Sequence, residues 1–173
     1  NNKDCADCVN ASTYTATPLP VNGMYNPGQV VTFCYHVAQY SQINTNWLHG
    51  VQVTLGAGWT AGSIVASPPP PCQGTGTWIW CPAGIGVVNG VNWGPGFYFD
   101  TTDPGAVASN NFGDNCSGVQ GAGTWNFCFT ATVAPGCSPG SNLSVTINTS
   151  GDGESGSWTS LGCVDDPPSV LPA

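Results

Sequence analysis

Two stretches decide the fold: QVVTFCYHVA, residues 29–38, and TWNFCFTATV, residues 124–133. A β-strand sends successive side chains to opposite faces, so residues two apart share a face. In the first stretch Val31, Phe33, Tyr35 and Val37 fall together; in the second Trp125, Phe127, Phe129, Ala131 and Val133 do. Two such apolar faces are expected to meet in a core. That parity leaves Cys34 and Cys128 on the opposite, more polar faces. Immunoglobulin domains keep their bridging cysteines inside, between the sheets. Here a bond between adjacent strands, or to a segment lying over the sheet, fits better.

Outward from these two, period-two or strand-like runs recur in STYTAT (12–17), WLHGVQVTL (47–55), TWIWC (77–81), PGFYFD (95–100), NLSVTINT (142–149) and GSWTS (156–160). Turn segments such as NPGQ, PPPPCQGTG, APGCSPGSN and SGDGES separate them. No stretch carries an apolar stripe at helical spacing. The expected fold is therefore all-β, a disulfide-stapled antiparallel β-sandwich of about seven to nine strands. Three parts are expected within the 173 residues: an N-terminal extension over 1–20, the sandwich over 21–164 and a Pro-rich tail over 165–173.

Composition narrows the function. Charged residues are 6% of the chain, against roughly a quarter in ordinary soluble domains. The only basic residue is Lys3, and the net charge is −8. Nucleic-acid binding draws its affinity from Lys and Arg on phosphates, so that class of partner is excluded. Anionic membrane surfaces are disfavoured for the same reason, and no apolar run approaches the roughly 20 residues that span a bilayer. The start, NNKDCADCVN, does not read as a signal peptide, so the export signal is expected to be removed or to lie outside this sequence.

Nine cysteines, at positions Cys5, Cys8, Cys34, Cys72, Cys81, Cys116, Cys128, Cys137 and Cys163, point to an oxidising compartment and to disulfides. Cys5 and Cys8 form a single CxxC with no second one, and His36 and His49 are not grouped for a zinc site. Cys72 and Cys81 bracket a short Pro/Gly loop, and Cys137 and Cys163 bracket NLSVTINT; both pairs look like local staples, although spacing does not fix connectivity. The odd count leaves one thiol unpaired or joins it to another chain.

For chemistry the chain offers little. No serine lies in a nucleophile-elbow context, and the histidines read as satisfied structural residues, so no catalytic residue and no enzyme activity is expected. Asp100, Asp114, Asp152 and Glu154 stand on Gly- and Asn-rich turns between strands, where oxygen ligands hold calcium in extracellular β-domains. The competing reading is ordinary Asx turn chemistry. No other cofactor is indicated. Among seven tryptophans, Trp78 and Trp80 share a face of TWIWC and are candidates for a glycan-stacking platform, the alternative being aromatic core filling. Sequons at Asn10, Asn115, Asn142 and Asn148 would matter only in a eukaryotic secretory host.

The strings YNPGQVVTFCYHVAQYSQINTNWLHGVQVTLGAGW, GPGFYFD, NNFGDNCSG, TWNFCFTATV and GDGESGSWTSLGC, from about Tyr25 to Cys163, together resemble a domain of large secreted Bacteroidota proteins. Those are surface or gliding-motility-associated adhesins, commonly exported by the type IX secretion system. The resemblance implies an extracellular, β-rich, non-enzymatic domain at a bacterial cell surface. The expected role is that of a structural or adhesive surface protein, a subunit of a cell-surface filament or an adhesin repeat. Its partners would be itself, head to tail, or neighbouring repeats, with surface glycans as a further possibility; a carbohydrate-binding module is the alternative. STYTAT is then either the first strand of its own sheet or a strand added to the next subunit.

Overall fold

The computed structural model describes residues 9–40, 47–72, 76–88, 91–100, 113–116, 125–152 and 170–171. Cys5, Cys8, Cys163, Glu154 and GSWTS lie outside them, as does the side chain of Asp100. Eleven strands run through the described residues: β1 (Val9–Thr17), β2 (Val30–Tyr40), β3 (Leu48–Leu55), β4 (Val65–Ser67), β5 (Thr77–Cys81), β6 (Gly86–Val88), β7 (Val91–Trp93), β8 (Gly96–Asp100), β9 (Asn126–Thr132), β10 (Val145–Gly151) and β11 (Val170–Leu171). The count exceeds the seven to nine expected because β4, β6, β7 and β11 are two or three residues long. A run that short shows no period.

Every pairing is antiparallel. One sheet has the order β1-β2-β9-β4 and the other β11-β10-β3-β8-β5, with β6 and β7 as a separate hairpin. The alternation read from the sequence is realised: Val31, Phe33, Tyr35 and Val37 of β2, and Phe127, Phe129 and Ala131 of β9, are all buried. They meet Val51, Val53, Trp78, Phe97, Phe99, Val145 and Ile147 of the second sheet in a single core. The fold is an all-β, disulfide-stapled sandwich.

STYTAT lies in the sheet of its own chain. β1 pairs with β2 from Val9↔Tyr40 to Thr17↔Thr32, with two register shifts near its start. The boundary expected near residue 20 therefore does not set β1 apart from the sandwich in this structure.

Cys34 and Cys128 face each other across β2 and β9 and are joined by a disulfide. The Val37 amide donates to the Trp125 carbonyl at 3.1 Å, which makes His36↔Asn126 a pair without mutual backbone hydrogen bonds. Two residues along, Cys34↔Cys128 has the same character, and its Cα atoms are 4.1 Å apart. That is where side chains on neighbouring strands come closest. His36 Nδ1 and Asn126 Oδ1, 2.8 Å apart, form the next rung on the same face.

The second disulfide corrects an expectation. Cys72 is bonded to Cys116, not to Cys81. Cys81 ends β5 and is buried in a small second core with Trp93 and Tyr98, on the outer face of the second sheet. Tyr98 stands between the inward Phe97 and Phe99, so it points away from the main core, and its hydroxyl donates to the Gly94 carbonyl at 2.5 Å. Cys72 instead follows the proline run 68–71, which carries it towards residue 116. These two disulfides place the chain in an oxidising environment, outside the cell or in a periplasm. No helix among the described residues is long and apolar enough to cross a membrane.

His49 has a measurable consequence. Ser150 pairs with Gly50 but Gly151 pairs with Leu48, so β3 carries one extra residue, His49, in a bulge. The imidazole is 1% exposed, and burial pushes its pKa from 6.5 down to about 3. The unfolded chain then binds a proton that the folded chain refuses. Stability is fully present above pH 6.5 and is lost as pH falls from there towards about 3. At pH 5 the loss is about 2 kcal/mol. Urea midpoints measured from pH 7.5 to pH 5 are expected to fall in the native protein and to flatten in His49→Gln; equal slopes would remove His49 as the cause.

Candidate functional site

The two ends of the sandwich are built differently. At the end where β2 stops and β3 starts, Asp114 is 0% exposed and exchanges backbone hydrogen bonds with Leu48. Its carboxylate accepts from the Cys72 amide at 2.8 and 3.0 Å, the Trp78 indole at 3.0 Å, the Trp125 indole at 2.8 Å and the Asn115 amide at 3.0 Å. The chain places no arginine anywhere and its one lysine in the N-terminal segment, so N–H donors carry the compensation. A buried carboxylate is tolerable when donors converge on it in this way. Asp152, also 0% exposed, accepts from the Trp47 amide at 3.1 Å and the Gly113 amide at 3.0 Å.

Two of the four acids named as calcium candidates are thus brought together, but as acceptors of protein N–H groups. Among the described residues no group of three or more His, Cys, Asp or Glu could hold a metal. Asp114 and Asp152 fasten segments together. The turn reading saw oxygen on Gly- and Asn-rich loops but not where the oxygens point.

Trp78 and Trp80 do not form an exposed platform. Trp78 is 5% exposed, its ring 4.8 Å from Phe127 and 5.3 Å from Phe99, with its N–H spent on Asp114. Trp80 packs edge-on against Phe97 at 5.0 Å and lines a hollow with Val53, Leu55 and Ile64. Parity put the two on one face correctly; that face is the inner one. The Trp78 ring is closed on both sides and cannot stack on a sugar, whereas Trp80 is half-buried at the wall of that hollow.

The opposite end is open. There the chain leaves β1 through Thr17, Pro18, Leu19 and Pro20, makes a small hairpin bridged by Val21 and Met24, and enters β2. Asn22 and Gly23 at its tip have φ of 53° and 74°, the left-handed conformation that an Asn-Gly hairpin turn requires. Leu19, Val21 and Met24 are 72%, 74% and 55% exposed, an apolar tip on a protein with few charges.

Beside this hairpin lies a cleft of about 570 Å³ lined by Tyr14, Pro20, Tyr25, Phe33, Trp59 and Leu143, among others. Trp59 comes from the glycine-rich loop that leads from β3 in one sheet to β4 in the other. It packs edge-on against Phe33 at 5.3 Å and tilted against Tyr25 at 6.0 Å, while Tyr14 stacks on Phe33 at 5.8 Å. Gly58 lets this loop close: a Cβ there would stand 2.8 Å from the Asn142 carbonyl oxygen. Burial holds the Tyr14 phenol far above its usual range, so it remains a protonated donor. Phe33 was read from the sequence as a core residue and Tyr14 only as part of a strand run, and nothing marked either as part of a cleft. The only signal was an isolated tryptophan in a glycine-rich loop.

The edges of the first sheet also differ. β4 is three residues long and runs into four consecutive prolines, which have no N–H to offer a further strand. β1, at the other edge, is nine residues long. Set against this geometry, no family model, no curated protein and no solved structure matches the chain. Fold and disulfides define the class: an antiparallel, disulfide-stapled β-sandwich of an oxidising compartment.

Proposed function

We propose that this chain is an extracellular structural or adhesive protein of a bacterial cell surface, a filament subunit or an adhesin repeat that assembles by strand addition. The observation that carries the reading is the asymmetry of the first sheet. Its long edge is β1, the first strand of the chain, while its other edge is short and followed by prolines. β1 inserts Tyr14 and Ala16 against the core and is tied to β2 alone within its sheet. The same β1–β2 contacts form equally well when β1 comes from a second copy, so exchange costs no native interaction. The Pro-rich exit at Thr17–Pro20 is the hinge for that exchange, and a head-to-tail exchange that does not close makes a filament. The low charge and the exposed Leu19, Val21 and Met24 suit a protein that works by contact with surfaces.

Negative-stain microscopy of the native material tests this directly. Regular filaments are expected, and they should shorten when the protein is assembled with excess synthetic peptide VNASTYTAT, which caps the acceptor edge. Monodisperse particles at every concentration, or filaments indifferent to the peptide, would count against strand addition.

A further inference from the structure

The cleft beside β1 has a chemistry of its own, separate from strand exchange. Its described walls are tyrosine, tryptophan, phenylalanine, leucine, proline, alanine and threonine, with no charged side chain. Two polar atoms in those walls, the Tyr14 hydroxyl and the Trp59 indole Nε1, are buried and have no hydrogen-bond partner. An unsatisfied buried donor is costly, so the pair marks a place where an acceptor is missing. The indole N–H can only donate, and the Tyr14 phenol stays protonated.

We propose that this cleft is a docking site for a proline-rich peptide segment of a partner protein, bound as a polyproline II helix. Donors left over in the site call for a ligand rich in carbonyl acceptors and poor in N–H groups. Consecutive prolines fit that description, since each residue offers a carbonyl and no backbone donor. Polyproline II is also preformed, so little order is lost on binding, and grooves lined by tyrosine and tryptophan are its usual receptors. A sugar fits less well: its hydroxyls bring donors that need acceptors, and the cleft walls carry no carboxylate or amide side chain. Both donors are screened from solvent in the empty cleft, so the proposal requires the Tyr14 and Trp59 rings to turn towards the peptide on binding. The pairing of β1 against Phe33 and Trp59 is kept when β1 comes from a second copy, although Thr17, Leu19 and Pro20 would then move with the hinge.

The test is titration of the full chain with a fluorescein-labelled oligoproline peptide, read by anisotropy and by tryptophan emission. An oligo(Gly-Ser) peptide and cello-oligosaccharides serve as the comparison probes. Saturable binding of oligoproline alone is expected. Trp59→Phe, which keeps an aromatic ring but removes the N–H together with part of the indole surface, should weaken it about five- to tenfold. Tyr25→Ala, at a half-buried position where misfolding is not a concern, should weaken it about tenfold. Circular dichroism confirms that both variants are folded. No binding at millimolar peptide, binding untouched in both variants, or saturable binding of the oligosaccharide in place of oligoproline would each overturn the proposal.

Discussion

Replacing Asp114 by alanine is expected to cost at least about 4 kcal/mol, enough to leave much of the population unfolded. The side chain itself is small, and the cost comes from what it leaves behind. The indoles of Trp78 and Trp125 and the amide of Cys72 all lose their acceptor in a site that water does not reach. Each orphaned donor costs roughly 1–3 kcal/mol. Asp114→Asn keeps the shape and one oxygen but turns an NH₂ group towards an N–H donor, so about half that loss is expected. Trp78→Phe removes a donor instead of the acceptor and should cost clearly less than Asp114→Ala. Urea unfolding followed by near-ultraviolet circular dichroism measures all three. A loss below 1 kcal/mol in Asp114→Ala would mean that the hydrogen bonds are not what holds this end together.

The second large effect is expected from the Cys34–Cys128 bond. It closes a ring of 94 residues, and in the chain-entropy account a cross-link of that span restricts the unfolded state by about 3–5 kcal/mol. The Cys34→Ser, Cys128→Ser pair should lose that amount. Removing Cys72–Cys116, which spans 44 residues, should cost slightly less, since the dependence on span is logarithmic. Non-reducing unfolding curves of the two double variants give the comparison. If the longer ring contributes less than 1 kcal/mol, the native state rather than the unfolded chain carries its effect.

The contrast between these two features explains what was legible in the sequence. Cys34 and Cys128 could be placed from parity alone, because a strand has a period of two and each cysteine stands between two aromatic residues, on the face opposite theirs. The same rule found the inward set of β2 and β9 and put Trp78 and Trp80 on one side. It could not say which side, since that depends on what the opposite sheet brings. Asp114 was read as a turn acid and cation ligand because its local string, NNFGDN, says nothing more. Its role is fixed by Trp125, Trp78 and Cys72, which lie 11, 36 and 42 residues away. The cleft was invisible for the same reason. Tyr14, Tyr25 and Trp59 come from a strand, a connection and a loop, and no spacing relates them. Cys72 was given a near partner because loops favour near partners, yet the proline run leads it to residue 116.

One consequence of the ring closed by Cys34 and Cys128 concerns tension along the chain. A pull applied between β1 and β11 enters through residues 9–33, crosses the sulfur–sulfur bond and leaves through residues 129–171. Everything from β3 to β8 lies off that route. Pulled to full extension, the oxidised chain withholds the 94-residue span, roughly 300 Å of contour, which the reduced chain pays out. Two populations of extension, interconverted by reductant, are what a single-molecule stretching trace should record.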